Sequence, residues 1–269
     1  MTKLSLIAVD LDGTLLTSER TLAPEGARLL RRAHRQGVRV VLSTSRWPDT
    51  ALELWRPLQI DDPVILTGGA QVWASPDGPS WAERSFDREI ALAIARLADA
   101  RGWEISTTVG ATSYWRQRPG QPLGPYMPHV TVVSSNEAEI VGDPLRVLAF
   151  QPAAIEGIRA LCEAEFAGRC QVELYAGADG VPHSLGVLAP GATKGAGLAL
   201  VCAQTGIAPE AVMAIGDNAC DLSMFPYAGV RVVMGNAPDD VRERAASMGA
   251  IFAPSNDDEG VAWAVQRFV

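Results

Sequence analysis

Cysteine is scarce in this 269-residue sequence, and its four cysteines form no CxxC pair. The positions of Cys162, Cys170, Cys202 and Cys220 exclude a metal finger or a dithiol redox motif and argue against a disulfide framework. Apolar runs stay well below the roughly 18 residues that a membrane-spanning helix needs. Reduced thiols and the lack of a signal-peptide pattern favour a cytoplasmic protein with no membrane partner.

Basic residues are also few. The sequence has 23 lysines and arginines against 31 acidic residues, a net charge of −8. A protein that binds the nucleic-acid backbone needs a basic face, so this balance argues against a nucleic-acid partner. A small phosphorylated ligand stays open, because a single lysine or arginine can bind one phosphate. The length of 269 residues predicts about two domains, and either half of the chain is long enough to bury a core.

Short apolar runs alternate with helical patterns at both ends of the chain. Leu4–Val9, Val38–Leu42 and Val64–Leu66 are predicted strands in the first part, and Val212–Ile215 and Val230–Met234 in the last. Continuous apolar runs of this length are typical of strands buried on both faces. Because predicted helices separate them, the pattern predicts an α/β core with a doubly wound, Rossmann-like parallel sheet.

The middle of the chain has a different pattern, rich in glycine, proline and aromatic residues. Helical stretches are predicted at Asp87–Arg101 and Ala153–Ala167. Strand-like runs occur at Trp103–Val109, Val130–Val133, Leu145–Phe150, Gln171–Tyr175 and Ser184–Leu188. We therefore expect a separate α+β unit over residues 72–189, inserted into a core made of residues 1–71 and 190–269.

The strongest local signal is Asp10-Leu11-Asp12-Gly13-Thr14-Leu15, directly after the first predicted strand. Carboxylates at the C-terminal end of a strand lie where open α/β sheets place their ligands. Two like charges this close repel each other unless a cation neutralises them. Mg²⁺ takes one or two carboxylates together with phosphate and water, so the pair indicates a metal-assisted phosphoryl site. Solvated aspartates at a strand exit are the alternative.

Three further segments follow predicted buried strands or open a helix. Ser43-Thr44-Ser45-Arg46 offers hydroxyls for a phosphate or, alternatively, a helix N-cap. Lys194, behind Pro190-Gly191, is an ammonium at a helix N-terminus, which suits a phosphate but also occurs as a solvated lysine. Gly216-Asp217-Asn218-Ala219-Cys220-Asp221 adds two carboxylates that could complete a Mg²⁺ shell or form an acidic turn.

Together these four segments resemble the haloacid dehalogenase superfamily, and more closely its Cof-like phosphatase branch with a large α/β cap. Met234-Gly235-Asn236-Ala237 also resembles that branch. The resemblance implies that the inserted unit is a cap for substrate selection. It also implies that Asp10 is a nucleophile that forms an aspartyl-phosphate, and that Asp12 is the general acid and then the general base. Thr44 and Lys194 would hold the phosphoryl oxygens.

The same resemblance implies a metal site. Asp10, the Asp12 backbone carbonyl and Asp217 would bind Mg²⁺, and Asp221 would support it through water or a hydrogen bond. Residues that could contact the substrate are Arg46, Gly69, Asn218 and Cys220.

Four positions depart from the pattern of the branch. Ser45 replaces a usual glycine, Gly68 a usual asparagine, Gly186 a usual acidic residue and Cys220 a usual asparagine. None is one of the proposed catalytic carboxylates, so we expect retained chemistry with altered substrate contacts. Candidates for substrate choice in the inserted unit are His129, His183, Tyr114, Trp115, Arg116 and Arg118, for which ordinary structural roles are the alternative.

These features favour a Mg²⁺-dependent phosphatase acting on a small phosphorylated metabolite, such as a sugar phosphate or a phosphorylated cofactor. A phosphomutase shares the aspartyl-phosphate, and a non-catalytic phosphometabolite-binding protein also fits the residues. Carbon–halogen hydrolysis needs neither a Mg²⁺ site nor an acid at the second aspartate, so Asp12 and Asp217 argue against it.

Overall fold

The fold is described from a computed structural model that covers residues 3–116, 130–138, 140, 142–177 and 179–269. Its strands are β1 (Leu6–Val9), β2 (Arg39–Ser43), β3 (Val64–Leu66), β4 (Gln71–Trp73), β5 (Ser80–Glu83), β6 (Ile105–Val109), β7 (Thr112–Arg116), β8 (Val130–Val133), β9 (Arg146–Ala149), β10 (Gln171–Ala176), β11 (Pro182–Leu188), β12 (Val212–Gly216), β13 (Val230–Val233) and β14 (Ile251–Phe252). Its helices are α1 (Pro24–Arg35), α2 (Pro48–Trp55), α3 (Arg88–Arg101), α4 (Pro152–Glu165), α5 (Lys194–Thr205), α6 (Asp239–Ser247) and α7 (Gly260–Phe268).

The larger sheet has the order β14-β13-β12-β1-β2-β3-β4-β5, and its first six strands are parallel. Strand β1 lies near the middle and is buried on both faces. Its Ile7 and Val9 pack with α1, α2 and α7, whereas Leu6 and Ala8 pack with α5 and α6. Helices thus cover both faces of the sheet, which confirms the predicted doubly wound α/β core.

Strands β4 and β5 were not predicted. They extend the larger sheet antiparallel to β3, with Ile65 opposite Val72 and Val72 opposite Ala82. The short apolar segment around Val72 directly follows a glycine-rich turn, so sequence alone gave it no strand pattern. The expected start of the insert, residue 72, therefore falls inside a β-hairpin of the larger sheet.

The smaller sheet has the order β10-β11-β9-β6-β7-β8. Helices α3 and α4 cover one face, where Val147 and Ala149 of β9 are buried. The alternate residue Leu148 points the other way and packs with Trp47 of the larger unit and with Tyr175. We call the smaller sheet with α3 and α4 the cap, and the larger sheet with its helices the core. The open face of the cap sheet thus lies against the core.

The cap also contains the unpredicted strand β7, which pairs Trp115 with Ser106 and Tyr114 with Thr107. Trp115 packs against Phe150, with ring centroids 5.1 Å apart. Among the described residues, no helix is both long and apolar enough to cross a membrane.

Candidate functional site

Three neighbouring parallel strands bring the acidic motifs together. Strands β2, β1 and β12 end side by side, and Asp10 follows β1 with its backbone N–H donating to Ile215 O at 3.1 Å. The chain then turns through Gly13, which has φ +76°. A Cβ at this residue would lie 2.3 Å from Asp217 Oδ2, so the turn approaches Asp217 at a distance that only glycine permits.

Lys194 connects two of the carboxylates. It opens α5, where Thr193 caps the helix by accepting a hydrogen bond from Ala196 N. Its Nζ lies 2.7 Å from Asp10 Oδ1 and 2.6 Å from Asp221 Oδ1, and the side chain is buried. Burial alone lowers the pKa of Lys194, but attraction to the two carboxylates outweighs burial and raises that pKa well above its usual value.

The remaining carboxylate, Asp217, accepts a hydrogen bond from Thr14 Oγ1 at 2.9 Å. Asp221 differs, because its Oδ2 accepts the backbone N–H groups of Asp217 and Asn218 at 3.1 and 2.9 Å. With Lys194 on its other oxygen, Asp221 is held from both sides. This arrangement fixes the turn that presents Asp217.

Asp10, Asp217 and Asp221 are all buried, and each offers an oxygen within 4.8 Å of the others. Burial raises the pKa of Asp10 to about 7, against the opposing attraction of Lys194. Burial and repulsion from Asp10 and Asp221 raise the pKa of Asp217 well above its usual value. Three carboxylates face one ammonium, which leaves an excess of negative charge in the cluster. Carboxylate oxygens are also the ligands that a hard divalent cation prefers.

Asp12 lies outside this buried cluster, and its side chain is 52% exposed. Both of its carboxylate oxygens are bound by Arg46, at 2.6 Å from Nη2 and 2.7 Å from Nε. The Arg46 backbone N–H in turn donates to Thr44 Oγ1 at 3.1 Å. The buried Thr44 hydroxyl accepts this bond and keeps its own proton for another acceptor.

Several other predicted residues line the junction of core and cap. Gly69 has φ +97°, and a Cβ there would lie 2.1 Å from Thr193 O, so α5 approaches this turn closely. Asn218 Nδ2 donates to Ala176 O of the cap at 2.8 Å. Cys220 Sγ lies 4.0 Å from Ser45 Oγ. The roles of Arg46, Gly69, Asn218 and Cys220 toward a substrate stay predictions.

The structure shows the surroundings of three of the four residues that depart from the pattern of the branch. Ser45 does not adopt a positive φ, so its side chain is accommodated without backbone strain. Gly186 lies opposite Glu173 in the β10–β11 pair, and a Cβ there would lie 3.0 Å from Tyr175 Oη. A Cβ at Gly68 would lie 3.5 Å from Glu173 Oε2. Glu173 and Tyr175 therefore occupy the space beside both glycines.

Sequence reasoning missed Glu173, Tyr175 and Arg146. Tyr175 Oη donates to Glu173 Oε2 at 2.9 Å. Burial raises the pKa of Glu173, partly opposed by this bond and by attraction to Lys194. Arg146 Nη1 donates to Ser45 O. Only the alternation of β9 and β10 could have indicated that these side chains face the core.

Two of the cap residues proposed from sequence to contact the substrate, Arg116 and His183, have polar neighbours within the cap. Arg116 Nη1 pairs with Asp99 Oδ1 at 3.0 Å. His183 Nδ1 lies 3.1 Å from Ser184 Oγ, and burial lowers the pKa of His183. His129 and Arg118 lie outside the described residues.

Comparison with known proteins gives concordant matches. The family model for haloacid dehalogenase-like hydrolases matches residues 7–265. The 5-amino-6-(5-phospho-D-ribitylamino)uracil phosphatase of Bacillus subtilis is 28% identical over 266 residues, covering 99% of this chain and 96% of that protein. The pyridoxal phosphate phosphatase of Escherichia coli is 28% identical over 262 residues, covering 89% and 91%. The crystal structure of a haloacid dehalogenase-like hydrolase from Bacteroides thetaiotaomicron superposes with a TM-score of 0.85 at 24% identity, covering 99% and 100%.

Proposed function

The chain belongs to the haloacid dehalogenase-like hydrolases and is a phosphatase, and from this premise we propose that it hydrolyses a small phosphomonoester through a phosphorylated Asp10. The observation that supports this proposal is the buried Asp10 carboxylate. Lys194 binds one of its oxygens, and Asp217 and Asp221 lie beside it. The relatives act on a ribityl phosphate and on pyridoxal phosphate. A sugar phosphate or a phosphorylated cofactor is therefore the proposed substrate class.

Asp10 supplies the nucleophilic oxygen. Lys194 occupies Oδ1, and Oδ2 makes no hydrogen bond with any residue in the described part of the chain. The ammonium favours the ionised carboxylate, which is the reactive form. Attack of Asp10 on phosphorus forms a new P–O bond while the ester P–O bond breaks. Splitting hydrolysis in this way replaces one difficult step with two easier ones.

Asp12 is the proposed general acid and general base. Its carboxyl donates a proton to the departing ester oxygen and then accepts one from the water that attacks the phosphorylated Asp10. The second step releases inorganic phosphate and restores the Asp10 carboxylate. Arg46 holds the Asp12 carboxylate by both oxygens at the exposed side of the cluster. This pairing fits the carboxylate that accepts a proton from water, and one of the two bonds has to open before Asp12 carries the proton for the leaving oxygen.

A divalent cation, which we propose to be Mg²⁺, fits the chemistry of the site. Asp10 and Asp217 would hold it with the Asp12 backbone carbonyl, while Asp221 orients Asp217 through backbone hydrogen bonds. When bound, the ion would neutralise charge on the phosphoryl oxygens. Thr44 Oγ1 and Lys194 Nζ would bind those oxygens from the protein side.

Two alternatives to hydrolysis make different predictions. A phosphomutase forms the same aspartyl-phosphate but has to exclude water, and a phosphometabolite-binding protein would bind without turnover. The two relatives described above, from Bacillus subtilis and Escherichia coli, are phosphatases, which favours hydrolysis. Sustained release of inorganic phosphate distinguishes hydrolysis from both.

The test is phosphate release from p-nitrophenyl phosphate with Mg²⁺ and with EDTA, by the native protein and by Asp10→Asn. The matched control is Asp240→Asn, an exposed aspartate in α6. We expect many turnovers with Mg²⁺, none with EDTA, none for Asp10→Asn and native rates for the control. Turnover that survives Asp10→Asn would refute the proposed nucleophile.

A further inference from the structure

The open face of the cap sheet carries a buried arginine that the proposed reaction does not use. Arg146 begins β9 and lies on the same face as Leu148, toward the core, because the intervening Val147 packs with the cap helices. The Arg146 residue is only 1% exposed. Arginine stays charged in proteins, so a complete guanidinium cation lies buried between cap and core.

Only one part of this guanidinium is paired. Nη1 donates to the Ser45 carbonyl, whereas Nε and Nη2 are buried without a hydrogen-bond partner. Within the described residues, no carboxylate lies within 4.0 Å of Arg146 as an ion-pair partner. Nε and Nη2 together form one edge of the guanidinium, which binds two oxygens of a carboxylate or phosphate side by side.

An unpaired buried cation is costly, because burial removes its hydration without replacing it. The nearby groups only partly compensate. The Trp47 ring centroid lies 5.9 Å from Arg146 Cζ. Burial lowers the pKa of Arg146, while Tyr175 and the Glu173 carboxylate act to raise it. The Glu173 carboxylate, however, already accepts the Tyr175 hydroxyl and the Gln171 amide. The packing around Arg146 therefore leaves the Nε–Nη2 edge without a partner.

Two further polar atoms beside Arg146 also lack partners. Trp47 Nε1 is buried without a hydrogen-bond acceptor, and so is the Ser106 hydroxyl. Ser106 lies directly opposite Leu148 in the β6–β9 pair, next to the Thr108–Arg146 pair and on the same face. Three side chains on the two sides of the junction thus hold unused donors close together. The other buried side-chain atoms without partners in the described residues belong to Ser43, Trp55 and Trp73 of the core. The grouping of donors at the junction is what favours an oxygen-rich ligand there.

The location connects these donors to the proposed chemistry. The Ser45 carbonyl that binds Arg146 belongs to the residue between Thr44 and Arg46. Ser45 Oγ lies 4.0 Å from Cys220 Sγ, in the turn that carries Asp217 and Asp221. Arg146 therefore lies on the cap side of the phosphoryl site, where the leaving group of a substrate would extend.

We propose that the Nε–Nη2 edge of Arg146 binds a second anionic group, a carboxylate or a phosphate, on the leaving group of the substrate. This inference rests on the proposed phosphatase function and narrows its substrate class to phosphomonoesters with two anionic ends. Because Arg146 is buried against Ser45, a ligand reaches it only when the cap moves away from the turn containing Ser45. Trp47 and Ser106 would add donors to the same group.

The experiment compares kcat/KM within matched substrate pairs: phosphoglycerate with glycerol phosphate, and fructose bisphosphate with fructose monophosphate. The variants are Arg146→Met, which keeps length without charge, and Arg146→Lys, which keeps charge without the paired edge. The control is Arg159→Met, in the exposed i,i+4 pair with Glu163 of α4. Phenyl phosphate, which has no second anion, reports the basal reaction in every protein.

We expect the native protein to prefer the doubly anionic member of at least one pair, and Arg146→Met to reduce that preference by about 10- to 100-fold. Arg146→Lys should keep part of it, and Arg159→Met all of it. Equal loss for all substrates, phenyl phosphate included, would mean that Arg146 only fastens the cap to Ser45 and would overturn the proposal. A native protein that hydrolyses both members of each pair equally well would also overturn the proposal. If the native protein hydrolyses nothing, including phenyl phosphate, the failure lies with the proposed function instead.

Discussion

Arg46 binds both carboxylate oxygens of Asp12, with Nε 2.7 Å from Oδ2 and Nη2 2.6 Å from Oδ1. The same arginine donates its backbone N–H to Thr44 Oγ1. One residue therefore orients both the proposed acid–base group and a proposed phosphate donor. The bond links the end of β2 to the turn after β1, so the relative position of these two loops depends on Arg46.

The first prediction concerns this pair. Arg46→Ala should lower kcat for glycerol phosphate by about 10- to 100-fold, because Asp12 loses the partner that fixes its position. Arg46→Lys should retain only part of the native kcat, since a single ammonium cannot bind both carboxylate oxygens of Asp12 in parallel. Arg56→Ala, which removes an exposed pair with Asp77, is the control. Steady-state kinetics that leave kcat unchanged in Arg46→Ala would show that Asp12 needs no such partner.

The second prediction separates the two steps of Asp12. In Asp12→Asn, p-nitrophenyl phosphate should give a rapid burst of nitrophenol and then slow turnover, because this leaving group departs without an acid while the water still needs a base. Glycerol phosphate should give no burst, since an alkoxide departs roughly 10² to 10⁴ times more slowly without an acid. Stopped-flow absorbance measures the release of nitrophenol, and quenched-flow assays of free glycerol measure the first step with glycerol phosphate. A burst with both substrates would remove Asp12 from the first step.

Much of this site was predictable from sequence for a simple topological reason. Parallel strands end at one edge of a sheet, so polar residues after β1, β2 and β12 had to converge if the strands were adjacent. The convergence of Asp10, Lys194 and Asp221 follows from that rule and from the start of α5.

The missed features depend on tertiary contacts. Strands β4 and β7 are short and contain polar or aromatic residues whose pairing is fixed by neighbours rather than by their own pattern. Arg146 is the first residue of the otherwise apolar strand β9, and its burial is set by Ser45 and Trp47, about a hundred residues earlier. Thr14 lay within a recognised motif, but its bond to Asp217 joins residues that are 203 positions apart.

The third prediction tests the close approach at Gly13. Gly13→Ala places a methyl group 2.3 Å from Asp217 Oδ2 and forces that carboxylate to move. Gly37→Ala is the matched control, because Gly37 has φ +87° but no atom within 4 Å of an added Cβ. Both should lose about 1–2 kcal/mol from left-handed backbone strain. Only Gly13→Ala should also weaken Mg²⁺ binding by calorimetry, and equal Mg²⁺ affinities would contradict the account.

The fourth prediction concerns pH and metal removal. Asp10, with its pKa raised to about 7, and Asp217, with its pKa raised well above its usual value, bind protons more tightly in the folded than in the unfolded chain. In EDTA, the free energy of unfolding should therefore fall as pH rises from about 4 through about 7. Mg²⁺ should offset the loss at the upper end, because it binds the ionised carboxylates.

Urea unfolding across this pH range, with EDTA or Mg²⁺, measures the effect. Asp217→Asn should flatten the pH dependence of the metal-free protein, while Asp240→Asn should not. Stability that increases with pH in EDTA would contradict the electrostatic account of the carboxylate cluster.

The most direct test of the central claim is to find the phosphoryl group. Asp12→Asn is mixed with p-nitrophenyl phosphate and Mg²⁺, quenched in acid during the burst, digested and analysed by tandem mass spectrometry. The account predicts one phosphoryl group per chain on Asp10, absent when Asp10 is also replaced by asparagine. A burst with an unmodified Asp10, or with the phosphoryl group on another residue, would contradict it.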